Sequence, residues 1–230
     1  MQRSAEKMSE SFDDIIREFI DFVNIQVGVY MDAMGGFEGH RVRVERQTHR
    51  VNRPKKISKG KSGEDVVVWA SYEDPSKPDI IHNRIIRATE YIKANSEFGV
   101  NYQQHSQAIL VFIFTYWEDE IRPRLASSIS VAVSKINPDI MGDLRVLRNV
   151  ILHSKGILKK EKRRSLKKLK NMFETDQPVM LSYDSMHQIF VLIKQDCAQM
   201  MFKWLNVENP LVDPGNITDL GIQKNRKFQE

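Results

Sequence analysis

The segment between Pro138 and Gly156 constrains the fold of this chain more than any other stretch. Proline is tolerated in the first turn of a helix because it lacks the N–H group that would go unpaired there. Glycine is favoured just past the last turn because it accepts a left-handed backbone. The spacing predicts a helix over 139–155, and its apolar residues form one stripe that must be buried: Ile140, Leu144, Leu147 and Ile151.

The same helix carries a polar arc roughly opposite the apolar stripe. At about 100° per residue, this arc contains Arg145, Arg148, Asn149 and His153. Asn149 and His153 are one helical turn apart, so their side chains can touch. Met141 and Leu152 share the arc, and apolar residues among cations indicate a face that another surface covers. By itself, the spacing of Arg148 and His153 is more typical of two surface residues on an ordinary amphipathic helix than of a site.

Apolar residues at helical spacing predict further helices over 4–34, 79–97, 103–121, 124–136 and 183–205, and a basic helix over 159–170. The glycines at 35, 36 and 39 are expected to end the first helix, and Pro123 to kink or end the third. Alternating charged and apolar residues at 41–46 and β-branched residues at 66–69 predict two strands, joined by a basic loop at 53–63.

These patterns predict an all-α fold, an antiparallel helical bundle with a small β-hairpin inserted at about 40–78. We expect residues 1–205 to form a single helical domain with this insertion. Residues 206–230 include Pro210, Pro214 and Gly215 and are expected to form an extended C-terminal tail.

Composition excludes several classes of protein. The chain is 41% hydrophobic and 28% charged, which is ordinary for a soluble protein. No apolar run approaches the roughly 18 residues that a membrane span needs, and the polar N-terminus does not resemble a signal peptide, so we expect a cytoplasmic protein without a membrane partner. Cys197 is the only cysteine, and the six histidines are scattered, so neither a metal site nor a cofactor is predicted.

Charge points to a polyanionic partner such as RNA. The net charge is only +5, but basic residues concentrate at 41–61 and 159–170. Two solvated basic segments without any partner fit the charge pattern about as well. The candidate substrate-binding residues lie on the helix and just after it: Arg145, Lys155, Lys159 and Lys160. One helix earlier, Trp117, Glu118 and Glu120 are expected to supply a wall and counter-charges for Arg145 or Arg148.

An arginine and a polar residue, followed by three residues and a histidine, make the pattern at 148–153 similar to the motif of the HEPN superfamily. The segments YWEDEIRPRLA at 116–126 and GDLRVLRN at 142–149 also resemble uncharacterised bacterial HEPN-type proteins. The resemblance covers roughly residues 80–205 and leaves out the insertion and the tail.

The resemblance implies a metal-independent endoribonuclease that acts as a homodimer without a cofactor. Two copies of Arg148 and His153 would meet in one cleft, with Asn149 orienting His153 or contacting the phosphate or ribose. Met141 and Leu152 would then be buried by the second subunit. Such a protein would be a toxin or a phage-defence effector, with an antitoxin protein as a further partner.

Two other functions fit the same residues. Many HEPN-type proteins are thought to lack nuclease activity, so the chain could be an inactive HEPN-like module for dimerisation or for binding RNA or protein. It could also be a plain helical scaffold that does not contact nucleic acid.

Overall fold

The structure, a computed structural model, describes residues 10–51, 67–74 and 76–205. The α-helices are α1 Phe12–Val51, α2 Ala88–Ala94, α3 Val100–Tyr116, α4 Arg122–Ser128, α5 Asp139–His153, α6 Lys160–Ser165 and α7 Tyr183–Leu205, and the strands are β1 Val67–Asp74, β2 Lys77–Arg87, β3 Ile157–Leu158 and β4 Gln177–Pro178. The described residues are mostly helical and include a small antiparallel two-stranded sheet, which confirms the all-α prediction. The predicted helix start at 4–9, the basic loop at 53–63 and the tail at 206–230 lie outside the described residues.

The chain divides into two compact units. The described residues up to Val29 and from Ser106 onward form the first unit, and Tyr30–His105 forms the second. The candidate helix α5 belongs to the first unit. The predicted division into a domain ending at 205 and a tail stays a prediction.

The core of the first unit consists of apolar side chains from α1, α3, α5 and α7 and from the turn after α3. Its fully buried members include Ile15, Ile16, Phe19, Ile113, Trp117, Ile140, Leu144, Leu147, Ile189 and Ile193. Phe19 packs against Trp117 with their ring centroids 5.2 Å apart. The predicted apolar stripe of α5 therefore faces this core, with Ile151 half-buried at its end.

The expected end of the first helix at the glycines is wrong, and so is the strand at 41–46. α1 continues through the three glycines to Val51. In the second unit Tyr30, Met34 and Val44 of this helix are buried, and Arg41 pairs with Glu38 and Glu45 across neighbouring turns. Each glycine costs about 1 kcal/mol relative to alanine in a helix, and burial of the apolar side chains offsets that cost.

The predicted β-hairpin exists, but it lies later in the chain than expected. β1 and β2 pair antiparallel with Val67 opposite Arg87, so the helix predicted over 79–97 is wrong up to Arg87. Only Ala88–Ala94 is helical there. The isoleucine-rich stretch before it suits a strand because β-branched residues pack well on a pleated surface.

The third predicted helix changes type before Pro123. α3 ends at Tyr116, and one π-helical turn, Trp117–Ile121, leads into α4. Proline has no N–H to donate to the preceding turn, which favours an irregular turn at this point. The helix predicted over 124–136 is shorter than expected, because α4 ends at Ser128 and only Val133–Lys135 forms a 3-10 turn after it.

A buried carboxylate explains why the basic helix is shorter than predicted. Asp143 of α5 is 1% exposed. It accepts hydrogen bonds from the backbone N–H groups of Lys167, Lys168 and Leu169 at 2.9, 2.7 and 2.8 Å. Because these donors bond to a side chain, α6 ends at Ser165 and does not extend to residue 170.

A second buried carboxylate and a short sheet complete this region. Asp196 of α7 is 3% exposed, accepts the Ile140 N–H at 2.9 Å and pairs with the Lys168 ammonium group. β3 and β4 pair antiparallel, with Ile157 opposite Pro178 and Leu158 opposite Gln177. The first turn of α5 is thus tied to α7, and its second turn to the basic segment.

We expect Asp143→Asn to lower the free energy of unfolding by on the order of 3 kcal/mol, because an amide has one acceptor oxygen and would turn its NH2 group toward backbone donors. Asp176→Asn is the matched control. It removes only an exposed ion pair with Lys159, and asparagine tolerates the left-handed φ of 59°, so its effect should stay within about 0.5 kcal/mol. Urea denaturation of both variants measures the difference, and equal effects would contradict the role of Asp143.

An ion cluster joins α4 to the start of the chain. Arg124 donates to the Glu18 carboxylate at 2.9 and 2.6 Å and to Glu10 at 3.1 and 2.6 Å. The Tyr116 hydroxyl also donates to Glu18, at 2.5 Å. The hydrogen bonds from Arg124 lower the pKa of Glu18 from 4.5 to about 2.

This lowered pKa predicts an acid-sensitive contribution to stability. The contribution is complete above the ordinary pKa of 4.5 and is lost as the pH falls toward 2. Arg124→Gln should therefore be less stable than the wild type near neutral pH, by on the order of 1 kcal/mol because the pair is partly exposed, and the difference should shrink in acid. Chemical denaturation across this range tests it, with Arg164→Gln in α6 as control. A difference that does not change with pH would contradict the prediction.

Candidate functional site

The polar arc of α5 lies at the surface of the first unit. Arg145 and His153 are exposed, and Arg148 and Asn149 are half-buried. The helix ends at His153, two residues earlier than predicted. Lys155 and Gly156 follow with φ angles of 51° and 75°, and the Gly156 N–H donates to the Val150 carbonyl at 3.1 Å. The expected role of a glycine past the last turn is thus confirmed.

The Arg148 side chain lies beside Asn149, and not all of its hydrogen-bond donors have an acceptor among the described residues. Its Nη1 donates to the Asn149 Oδ1 at 3.0 Å. Its Nε is buried and has no hydrogen-bond partner in the part of the chain that the structure describes, nor does any carboxylate there pair with it. A buried donor without an acceptor costs free energy, so this guanidinium would gain from an acceptor supplied by a ligand.

A groove of about 330 Å³ runs between the end of α3 and α5. Its lining residues are Phe114, Thr115, Glu118, Asp119, Arg145, Arg148 and Asn149. The structure therefore brings three of the predicted site residues to one place. The opposite side of the groove carries two carboxylates, which offset the charge of the arginines.

Glu118 pairs with one arginine of the groove, Arg145, and with Arg122 beside it. It lies in the π-helical turn and accepts from Arg122 Nη1 at 2.7 Å. It also accepts from Arg145 Nη2 at 3.2 and 3.1 Å, and the Arg145 guanidinium lies 6.0 Å from the centroid of the Phe114 ring. The prediction that Glu118 supplies a counter-charge for Arg145 is correct.

His153 is not part of the groove within one chain. It does not line the groove, and no hydrogen bond joins it to Asn149 among the described residues, since Asn149 Oδ1 accepts from Arg148. Lys155, Lys159 and Lys160 are exposed and also do not line the groove, and Lys159 lies 3.3 Å from Asp176. The predicted site residues thus fall into two groups along α5 and the segment after it.

Two expectations about the surroundings of the arc are wrong. Met141 is 3% exposed within the chain itself, so it needs no second subunit to cover it. Trp117 is 1% exposed and packs in the core, and Phe114 forms the aromatic wall of the groove instead. Leu152 is 50% exposed within the chain, so its burial by a second subunit stays a prediction. Glu120, expected as a counter-charge, is exposed and does not line the groove.

Sequence inspection missed four contributors to this site: Phe114, Thr115, Asp119 and Arg122. Phe114 and Thr115 precede Glu118 by four and three residues, so helical spacing from Glu118 would have found these two. Asp119 is the direct neighbour of Glu118, and helical spacing does not place it on the same face. Arg122 follows Glu118 by four residues, which is a common spacing for an ion pair.

The described part of the chain shows no cluster of three or more histidine, cysteine or carboxylate side chains that could hold a metal ion. Cys197 is buried, and burial raises the pKa of its thiol far above the ordinary range, so it is poorly suited to be a nucleophile. None of the described helices combines the length and apolar character that crossing a membrane requires.

Comparisons with known proteins do not assign this chain to a family. It matches no protein-family model, no curated protein and no solved structure. The HEPN resemblance therefore stays a prediction that rests on the segments at 116–126 and 142–153.

Proposed function

We propose that this chain is a metal-independent endoribonuclease of the HEPN type, which binds RNA through Arg148 and works as a homodimer. The observation that supports this best is the buried Nε of Arg148, which lacks an acceptor among the described residues at the edge of an open groove. A phosphate group offers several acceptor oxygens. A guanidinium presents a planar fork of donors that matches them, and drawing it into the groove would give Nε a partner.

The chemistry follows from the residue types. RNA carries its own nucleophile, the 2′-hydroxyl group. His153 would be the general base that takes the proton of the 2′-hydroxyl group or the general acid that gives a proton to the leaving 5′-oxygen. Arg148 stabilises the charge that builds on the phosphate, and Asn149 orients the bound group. The products are a 2′,3′-cyclic phosphate and a 5′-hydroxyl.

A bound strand must reach from the groove to His153. His153 follows Asn149 by four positions, about 6 Å along the helix axis at roughly 1.5 Å per residue, so adjacent groups of one RNA strand would span both. A second copy of the chain would bring a second His153, so that the acid and the base come from different subunits. Lys155, Lys159 and Lys160 are exposed beyond the helix and would contact the flanking phosphates.

The proposal includes a cellular role that rests on the HEPN resemblance. A toxin or phage-defence ribonuclease acts on RNA in the cytoplasm and needs an inhibitor until it is triggered. An antitoxin protein that covers the groove would be such an inhibitor.

We expect Arg148→Ala and His153→Ala each to reduce RNA cleavage by at least about a hundredfold without unfolding the protein. The assay is total RNA incubated with the protein in EDTA, with the products tested for 2′,3′-cyclic phosphate ends. Arg17→Ala and His187→Ala are matched controls, because both side chains are exposed on other helices, outside the two basic segments, and should leave cleavage unchanged. Cleavage that survives both site substitutions, or that needs added metal, would refute the proposal.

A second candidate function is an inactive HEPN-like module for dimerisation or for binding RNA or protein. Two observations favour it: carboxylates of Glu118 and Asp119 line the groove, and His153 lies outside it. The exposed Leu152 is an apolar contact for a partner. Binding of RNA in EDTA without cleavage by the purified chain, free of copurified protein, would support this function over the nuclease.

A further inference from the structure

The two ion pairs of Glu118 differ in the distance between the charged groups and in the exposure of the arginine. The Arg122 side chain is 12% exposed, and its Nη1 lies 2.7 Å from the Glu118 carboxylate. Its Nε also donates to the Ile136 carbonyl at 2.7 Å, so Arg122 is fastened on two sides. Arg122 therefore anchors the carboxylate in place.

The contact between Glu118 and Arg145 is looser. The Arg145 side chain is 44% exposed, and its closest approach to the carboxylate is 3.1 Å. Exposed ion pairs contribute little net free energy, because water and salt compete with the contact and two long side chains must be ordered. Arg145 can therefore leave Glu118 at small cost.

We propose that Glu118 competes with the polyanion that the groove binds for the guanidinium of Arg145. In the free chain Arg145 pairs with Glu118, and on binding Arg145 exchanges this partner for a phosphate, while Arg122 keeps the carboxylate neutralised. This inference rests on the proposed function for the identity of the ligand as RNA.

The exchange makes the groove selective for chains of phosphates. A single phosphate that replaces Glu118 as the partner of Arg145 gains little binding free energy, since one anion takes the place of another. A strand that contacts Arg148 and Arg145 together gains from both contacts, because the second binding step is intramolecular. The groove should therefore bind an RNA strand and discriminate against a mononucleotide.

Fluorescence anisotropy with a labelled 2′-O-methyl RNA strand tests the exchange, because this strand lacks the 2′-hydroxyl nucleophile and reports binding alone. Glu118→Gln removes the competing charge. Glu120→Gln is the matched control, since it makes the same change in net charge two residues away, at an exposed side chain outside the groove. Thermal unfolding of both variants verifies that they are folded.

We expect Glu118→Gln to bind about two- to fivefold more tightly than Glu120→Gln at low salt. Its affinity should also be more sensitive to salt, by roughly 0.7 in the slope of log K against log salt if one more phosphate contact forms without displacing a protein carboxylate. Arg145→Ala should weaken binding more in the Glu118→Gln background than in the wild type, which a double-mutant cycle measures.

Other outcomes separate this inference from the proposed function. If the wild type binds RNA and Glu118→Gln equals Glu120→Gln, the competition is refuted and the proposed function stands. Weaker binding by Glu118→Gln also refutes it, because Glu118 would then orient Arg145 for the ligand. If no variant binds RNA at low salt and none cleaves it, both proposals fail.

Discussion

The position of the candidate site depends on the buried carboxylate of Asp143. It accepts three backbone N–H groups from the segment that follows α6, and a buried carboxylate of this kind must be satisfied by donors or it would destabilise the fold. The buried carboxylate of Asp196 is satisfied at the start of α5, where it accepts from the Ile140 N–H and pairs with Lys168. Together these two acids hold α5 at its first and second turns, so the arc that carries Arg148 has a defined place on the first unit.

The irregular turn at Trp117–Ile121 provides the other side of the site. It buries Trp117 in the core while it leaves Glu118 within reach of Arg122 and Arg145. The groove is thus lined by cations from α5 and by carboxylates from this turn. With two arginines and two carboxylates among its lining residues, its charge is nearly balanced, which distinguishes it from an open basic cleft.

Helical periodicity was enough to predict the apolar stripe of α5 and the grouping of Arg145, Arg148 and Asn149. The order of the helices along the chain suggested Glu118 as a counter-charge. Predictions from residue type and spacing failed where packing between elements outweighed the preferences of single residues. The glycines after Met34 were expected to end α1, yet burial of side chains on both sides of them keeps the helix intact. Met141 was placed on the exposed arc because an arc drawn around one helix does not show which neighbouring element packs against it.

The sequence by itself determined that α5 is amphipathic, where it begins and approximately where it ends, because these properties depend on residue spacing and on the backbone preferences of Pro138 and Gly156. Only the tertiary structure decided that Arg148 opens on a groove while His153 lies beyond it, and that Asp143 interrupts the basic segment. These features depend on contacts between residues far apart in the chain, in which a buried charge or donor is satisfied by whichever group the fold brings to it. No local pattern contains that information.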